Sequence, residues 1–426
     1  MFKTLKQLFT KKNKDIRKRV YFTLAVLTLF VIGTTIEVPG TQEITKSLGF
    51  LELLDVMGGG ALSNFSIFAL GVTPYITASI VMQLLQMDIV PYFADLAKQG
   101  HAGRQKINKI TRYVGIVFAF IQGYAMAYAF LGSGVGVAQR LEVAFIMTAG
   151  TAFLLWLGDQ VSQKGIGNGV SLLIMAGIVS SLPGMMITAF KQLVDFSTTN
   201  TLISGGATFL LFLLICFLVI IAVIFVEGAA RRISIQYANK STANLGKQSY
   251  MPIKINSAGV IPVIFASSLL AVFSVIAQFS KSKGVVNFIN NYFDYTKPVG
   301  LIIYVVLIIF FSYFYTFVQM KPDQMAENLQ KNGGYVPGIR PGKDTEDYFV
   351  KVLTRLTTVG AIFLALIAAF PILVNMWTGL PRSVSIGGTS LLIVVGVTIE
   401  TYKQLESSLM SRDYSINKRT KRRAVR

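Results

Sequence analysis

Ten stretches of this sequence are apolar and contain no aspartate, glutamate, lysine, arginine or histidine. They cover residues 20–36, 66–85, 113–131, 143–158, 170–187, 207–226, 258–279, 299–320, 356–374 and 386–399. A helix needs about 20 mainly apolar residues to cross the hydrocarbon of a bilayer. Because hydrocarbon cannot hydrogen-bond to backbone groups, such segments must be helices. The sequence therefore predicts an all-α, polytopic membrane protein with ten spans, numbered 1–10 in chain order.

The charge of the chain supports the same class. Only 14% of the residues are charged, whereas soluble proteins have about 25%. Of the 40 lysines and arginines, 33 fall in the two termini and in the loops that follow even-numbered spans. Basic residues favour the cytoplasmic side, so both termini are predicted to be cytoplasmic. The basic runs at 11–19 and 418–426, in the two tails, are expected to be solvated and to lie near anionic lipids.

One apolar segment is too short to be a span. Residues 48–62 are interrupted by Glu52 and Asp55 and contain three consecutive glycines at 58–60. Two interpretations are open at this point: an external surface loop, or a re-entrant piece that lies inside the protein beside a water-filled cavity. The second interpretation would give the protein an aqueous interior.

Ten spans divide naturally into two groups of five. Two consecutive groups with an odd number of spans have opposite orientations, as in the inverted repeats of many transporters. The predicted organisation is a cytoplasmic tail, a first half, an external connection, a second half and a second cytoplasmic tail. These parts cover residues 1–19, 20–187, 188–206, 207–402 and 403–426.

Residues that carry chemistry are scarce. No ionisable side chain lies in the middle of a span, although ion-coupled carriers generally need one there. His101 is the one histidine and Cys216 the one cysteine, which argues against a metal site and a disulfide framework. The glycine-rich strings at 132–137 and 165–170 lack the spacing of a phosphate-binding loop. We therefore expect no enzymatic activity, no cofactor and no metal.

Five longer motifs are more specific. They are SNFSIFALGVTPYITASIVMQLL at 63–85, WLGDQVSQKGIGNGVSLLI at 156–174, KINSAGVIPVIFASSLL at 254–270, YVPGIRPGKDTEDY at 335–348 and GGTSLLIVVGV at 387–397. In type and order they resemble the SecY family of bacterial protein-conducting channels, and the resemblance extends over essentially the whole chain. It implies two inverted five-helix halves around an hourglass pore, through which unfolded secretory chains cross the cytoplasmic membrane.

The resemblance implies a pore ring of six aliphatic side chains. They are Val72 and Ile76 in span 2, Val170 and Ile174 in span 5, Ile264 in span 7 and Ile393 in span 10. Two pairs are four residues apart, which places each pair on one helix face. A ring of apolar side chains can exclude ions by dewetting and offers a polypeptide no polar group to bind. Without the resemblance, the same spacing is more simply explained by ordinary helix packing.

The resemblance also assigns residues 48–65 to a plug, a short helix that re-enters from outside and closes the pore. The plug residues singled out are Met57, Gly58, Gly59, Gly60, Ala61, Leu62, Ser63, Asn64 and Phe65. A lateral gate is implied between spans 2 and 3 on one side and spans 7 and 8 on the other. It would release transmembrane segments into lipid according to their hydrophobicity. Its polar candidates are Thr73, Gln83 and Asn256, although polar groups in membrane helices often serve only to bond neighbouring helices.

The cytoplasmic loops at 227–256 and 321–355 correspond to the family's docking face. The candidate residues are Arg340, inside the motif GIRPG, and Arg231, Arg232 and Lys240. An arginine at a rigid loop tip can donate two parallel hydrogen bonds to a carboxylate or an RNA phosphate. The implied partners are the SecA motor ATPase, the ribosome, small membrane subunits resembling SecE and SecG, secretory preproteins with their signal sequences, and anionic lipids.

Two other classes of membrane protein are alternatives to a channel. A secondary transporter or flippase can share ten spans and an inverted repeat, but it needs a charged or strongly polar site near the middle of the membrane. A passive membrane scaffold would conduct nothing. The sequence favours the channel, in the cytoplasmic membrane of a bacterium.

Overall fold

The computed structural model describes residues 13–39, 41, 55, 58–86, 90–131, 135–194, 199–237, 249–279, 282–295, 297–378 and 387–424. The helices are α1 (Lys14–Gly33), α2 (Thr73–Leu84), α3 (Pro91–Lys98), α4 (Gly100–Phe130), α5 (Val137–Lys164), α6 (Gly169–Leu193), α7 (Thr199–Gly228), α8 (Ile261–Phe279), α9 (Lys283–Tyr292), α10 (Pro298–Met320), α11 (Pro322–Lys331), α12 (Lys343–Thr378) and α13 (Gly387–Ala424). The strands are β1 (Ala230–Tyr237), β2 (Ser249–Lys254) and β3 (Gly334–Tyr335).

Six helices in the described part of the chain are long and apolar enough to cross a membrane. They lie within α4, α5, α6, α7, α10 and α12, which correspond to predicted spans 3, 4, 5, 6, 8 and 9. The remaining predicted spans correspond to α1, α2, α8 and α13. Of these, α2 has only 12 residues, and α1 and α13 each have a charged end.

Span 2 begins later than its apolar stretch predicts. The stretch starts at residue 66, but α2 starts at Thr73, and residues 58–72 are almost entirely in turns. Gly59, Gly60 and Gly71 have φ values of 78°, 78° and 54°, which an α-helix cannot use and which glycine adopts without strain. The predicted helix over 66–72 is therefore wrong. Residues 58–65 of the expected plug helix also lie in turns, whereas residues 48–54, residue 56 and Met57 lie outside the described residues.

The two groups of five helices pack in the same order. In the first group, α2 packs on α4, α4 on α5, α5 on α6, and α1 on α6. In the second group, α8 packs on α10, α10 on α12, α12 on α13, and α7 on α13. Each of these contacts in the first group has its counterpart five spans later, which is the relation expected of a repeated unit.

The two halves meet at two seams. At the first seam, α8 packs against α2 and α4; at the second, α6 packs against α7 and α13. One hydrophobic cluster extends across both halves, from Phe30 and Leu154 in the first to Tyr304 and Leu364 in the second. Apolar side chains therefore pack continuously from one half to the other.

A small antiparallel sheet was not predicted. Strand β1 pairs with β2 of the same loop and with β3 of the other large basic loop, which gives the order β2-β1-β3. The sheet buries Ile233, Ile235 and Ile253 in a cluster with Phe349 of α12. Helix α9 was also not predicted, and α13 continues to Ala424, far past the predicted end of span 10.

A close backbone contact between α5 and the turns before α2 requires a glycine. A Cβ atom at Gly150 would lie 1.9 Å from the carbonyl oxygen of Ile67. We expect Gly150→Ala to lower the unfolding temperature, because overpacking costs about 1–3 kcal/mol and this overlap involves backbone. Gly184→Ala in α6 is the matched control, since no atom lies within 4 Å of its added Cβ. Equal thermal unfolding of the two variants in detergent would contradict this packing.

Candidate functional site

The six candidate ring residues belong to the hydrophobic cluster that extends across both halves. Val72 is the N-cap of α2 and Ile76 lies in its first turns, while the others lie in α6, α8 and α13. Five of the six side chains are buried and Val170 is half-buried. The cluster also contains many ordinary packing residues, so burial alone does not define a pore.

A small cavity of about 10 Å³, room for about one water molecule, defines the site more narrowly. Val72 and Ile76 line it together with Ile174 of α6 and Gly58 of the plug segment. The other lining residues are Phe30, Gly71, Thr73 and Leu173. Val170, Ile264 and Ile393 lie in the surrounding cluster and not in the lining. Among the described residues, the lining has no charged side chain, so water and ions have little to bind there.

The plug segment is organised by one buried carboxylate. Oδ1 of Asp55 accepts hydrogen bonds from the backbone N–H groups of Leu62 and Ser63, both at 2.9 Å. The carbonyl oxygen of Asp55 accepts from the N–H groups of Gly58 and Gly60. Burial raises the pKa of the Asp55 carboxyl, and the N–H donors oppose that rise. In the sequence, Asp55 is recognisable only as an interruption of an apolar segment. The three glycines at 58–60 are the sequence signal that indicates a turn, which the Asp55 side chain holds together.

Gly59 brings the plug segment against the backbone of α6. A Cβ atom at this position would lie 3.2 Å from Cα of Gly177 and 2.7 Å from Oγ of Ser180. The side chains that follow are buried, with Ala61 in the central cluster and Leu62 in a second cluster beside α4 and α5. The plug segment therefore packs between the cavity and the helices of the first half.

The end of the plug segment is fixed by backbone pairing. The N–H of Val38 donates to the carbonyl of Phe65, and the N–H of Ile67 donates to the carbonyl of Ile36, both at 3.0 Å. Phe65 is buried and has a φ of 46°, which is uncommon for a residue other than glycine. This pairing joins the chain after α1 to the chain before α2. The end of the plug segment is therefore attached to the residues that follow α1.

The candidate gate residues have separate partners. Thr73 lines the cavity, and Nε2 of Gln83 lies 3.5 Å from Oγ of Ser79 in the same helix. Nδ2 of Asn256 donates to Oε1 of Glu227 at 2.6 Å and to the carbonyl of Gly259 at 3.0 Å. Gln83 and Asn256 thus bond to groups other than each other, although α2 and α8 pack together at the first seam.

Glu227 was not among the sequence candidates, yet its carboxylate and the Asn256 amide form a buried pair at the end of α7. We expect Glu227→Leu to lower the unfolding temperature, because a buried polar group without its partner costs about 1–3 kcal/mol. Glu227→Gln keeps an acceptor oxygen and is expected to retain more of the stability. Thermal unfolding in detergent measures both variants. Unchanged stability of Glu227→Leu would contradict a structural role for the pair.

The sheet joins the two candidate docking loops into one face. Arg231 and Arg232 are exposed on β1, and the Arg232 guanidinium lies 4.8 Å from the ring centre of Tyr250 on β2. The hydroxyl of Tyr335 on β3 donates to Oε1 of Gln236 on β1 at 2.8 Å. Lys240 lies outside the described residues.

Arg340 lies at an exposed loop tip between β3 and α12. Gly338 and Gly342, with φ values of 83° and 104°, make the turns on either side of it. Its carbonyl oxygen accepts a hydrogen bond from Oγ1 of Thr345 at 2.8 Å. The loop backbone is therefore fixed while the guanidinium faces solvent, a suitable geometry for binding a carboxylate or a phosphate.

The comparison with protein families decides the identity. A model of the SecY family matches residues 66–402. The chain belongs to the SecY family. Protein translocase subunit SecY of Bacillus subtilis (strain 168) is 49% identical over 97% of this chain and 99% of that protein. The resemblance inferred from the five motifs is thus confirmed, and this SecY-family chain is a multi-pass membrane protein of the bacterial type, a protein-translocation channel subunit and not an enzyme.

Two solved structures share the fold of this SecY-family chain. One is described as "The plug domain of the SecY protein stablizes the closed state of the translocation channel and maintains a membrane seal", with a TM-score of 0.65 and 20% identity over 92% of both chains. The other is described as "Sec61 in the Canine ribosome-channel complex from the endoplasmic reticulum", with a TM-score of 0.62 and 20% identity over 92% of both chains. The helical membrane fold predicted from the sequence is confirmed.

Proposed function

We propose that this chain conducts unfolded secretory polypeptides through the centre of the molecule and releases transmembrane helices sideways into lipid. The observation that carries the proposal is the uncharged cavity between α2 and α6, which Gly58 of the plug segment helps to line. Val72, Ile76, Val170, Ile174, Ile264 and Ile393 form the constriction around a passing chain. Branched apolar side chains suit this role because they exclude hydrated ions and form no hydrogen bonds with the substrate.

The plug segment is proposed to be residues 48–65, with the residues from Met57 to Phe65 at its end. The plug segment packs against α6 at Gly59, and its end is hydrogen-bonded to the chain that follows α1. Both contacts support a segment that can leave the cavity while its end stays fixed. In the related SecY structure, the plug domain is described as stabilising the closed state of that channel. The same role is proposed for this chain, with Asp55 as the residue that holds the turns together.

The lateral gate is proposed to be the first seam, where α8 meets α2 and α4. Thr73, Gln83 and Asn256 lie on the helices of this seam or directly before them. Separation of α8 from α2 would expose a segment inside the pore to lipid. A central leucine or isoleucine favours lipid by about 0.3–0.6 kcal/mol, while lysine or aspartate opposes it by about 2.5–3.5 kcal/mol.

The face formed by the sheet and the Arg340 loop is proposed to dock the source of energy for translocation. The family and the ribosome-bound Sec61 structure support a complex with small membrane subunits and a ribosome, and SecA is proposed as the alternative motor. Arg340, Arg231, Arg232 and Lys240 supply positive charge to this face, and anionic lipids are proposed to lie beside it. Secretory preproteins and their signal sequences are the proposed substrates.

The proposed topology places both termini and both docking loops in the cytoplasm, on the basic side of the membrane. The first half comprises residues 20–187 and the second half residues 207–402, joined by the external connection at 188–206. The cytoplasmic tails cover 1–19 and 403–426. The matching packing order of the two groups of five helices supports this division.

Reconstitution into vesicles distinguishes a protein-conducting channel from a secondary transporter and from a passive scaffold. With SecA, ATP and the small subunits present, a secretory precursor should become protected from added protease. A secondary transporter would instead take up a solute in a saturable way without any motor. The buried charged residues of the described chain, Asp55, Arg140 and Glu227, lie in the plug segment or near helix ends, where a mid-membrane solute site is not expected. A scaffold would remain non-conducting even after deletion of residues 57–65.

A further inference from the structure

The helix α9, in the loop between predicted spans 7 and 8, has an apolar face that is only partly covered by protein. At 100° per residue its apolar side chains form one continuous arc, made of Val285, Val286, Phe288, Ile289 and Tyr292. Ile289 is buried against the protein, but Phe288 and Tyr292 are 55% and 46% exposed. Asn287, Asn290 and Asn291 occupy the opposite arc. Part of the apolar face therefore needs a further partner.

The position of α9 is fixed by aromatic and backbone contacts. The ring of Phe293, directly after the helix, stacks on Phe273 of α8 with centroids 4.3 Å apart. A Cβ at Gly300 of α10 would lie 2.0 Å from the carbonyl oxygen of Asp294, so the connection to α10 packs directly on that helix. The exposed aromatic residues of α9 are thus held at one end of α8 and α10.

The exposed face of α9 is followed in the chain by an exposed apolar stripe on α10. On α10, Val299, Ile302, Val306 and Phe310 are exposed and follow the helical repeat, as expected of a lipid-facing stripe on a membrane span. This stripe begins at the second residue of α10, shortly after α9 ends. We propose that α9 lies in the interface of the outer leaflet, with Val285, Phe288 and Tyr292 inserted among the lipids.

The charge and composition of α9 favour lipid over a protein partner. The helix contains no acidic residue, and Asp294 and Lys297 follow it. Nζ of Lys297 donates to Oδ1 of Asn291 at 2.5 Å. Aromatic side chains over a polar face, with lysine nearby, are the pattern of helices that lie in the plane of a membrane. Insertion would anchor the outer ends of α8 and α10 to the bilayer. This placement does not depend on the proposed gate, because it concerns the resting protein.

Site-directed spin labelling tests this placement. In a Cys216→Ser background, which removes the one native cysteine, single variants Phe288→Cys and Tyr292→Cys carry a nitroxide. Asn287→Cys and Asn290→Cys are the matched controls on the polar arc. The full chain is reconstituted into vesicles of phosphatidylethanolamine and phosphatidylglycerol. Power saturation then compares collision with oxygen, which concentrates in lipid, and with a water-soluble nickel chelate.

We expect the labels at 288 and 292 to lie about 5–10 Å below the headgroup boundary and the control labels to collide mainly with the nickel chelate. Nickel accessibility at 288 and 292 equal to that at 287 and 290 would overturn the proposal. Protection of 288 and 292 from both reagents would also overturn it, because that result indicates a protein contact. If Phe288→Cys does not fold, Val285→Cys and Tyr292→Cys give the same comparison.

Discussion

Gly59→Ala is expected to increase the ion leak of the resting channel roughly tenfold, because overpacking costs about 1–3 kcal/mol and 1.4 kcal/mol is a factor of ten in an equilibrium. The added methyl group would lie 3.2 Å from Cα of Gly177 and 2.7 Å from Oγ of Ser180, so the close contact between the plug segment and α6 must loosen. Single-channel recording in planar bilayers measures the fraction of time for which the resting channel conducts.

Gly60→Ala is a closely matched control. Gly60 has the same φ of 78°, so alanine has a similar backbone strain at both positions. The nearest atom to its added Cβ is Oγ of Ser63 at 3.8 Å, an ordinary contact. The difference in leak between the two variants therefore reports the packing of the plug on α6. Equal leak in both variants would show that this contact does not keep the channel closed.

Arg340→Glu is expected to reduce SecA-driven translocation at limiting SecA at least about tenfold, because breaking a charged pair at an interface costs about 2 kcal/mol or more. The fold should be unaffected, since the side chain is exposed and the loop is held by its backbone and Thr345. The initial rate of precursor protection in vesicles, as a function of SecA concentration, measures the effect.

Lys351→Glu provides the same change of charge at another exposed position, near the start of α12. It is expected to change the rate much less, and both variants should unfold at the temperature of the unmodified protein. If Lys351→Glu slows translocation as strongly as Arg340→Glu, the face acts through its total charge and Arg340 has no special role.

The spans were predictable because hydrophobic length is a local property of the sequence. The start of α2 was not, since the apolar stretch from 66 to 72 is compatible with a helix until the φ of Gly71 is known. The sheet was not predicted for a different reason. Strand β1 pairs with β3, which lies almost one hundred residues away in the sequence, and β3 has only two residues and therefore no recognisable periodicity.

The candidate site, too, could be predicted only in part from the sequence. Pairs such as Val72 and Ile76 are indistinguishable by pattern from packing residues elsewhere in the helices, and only the family motifs singled them out. Their place beside one cavity with Ile174 and Gly58 depends on contacts between distant segments. The pairing of Asn256 with Glu227 is likewise tertiary, because 29 residues separate the two side chains in the chain.

A translocating polypeptide is proposed to pass through the ring of apolar side chains. A photoactivatable residue at Ile174, Ile264 or Ile393 tests it, with Ile221 and Ile302, 47% and 64% exposed on α7 and α10, as lipid-facing controls. A hydrophilic secretory precursor is stalled in the channel and the sample is irradiated. Crosslinks to the precursor are predicted from the three ring positions and not from the controls. Crosslinks from the controls alone, or equally from both sets, would contradict a central conduit.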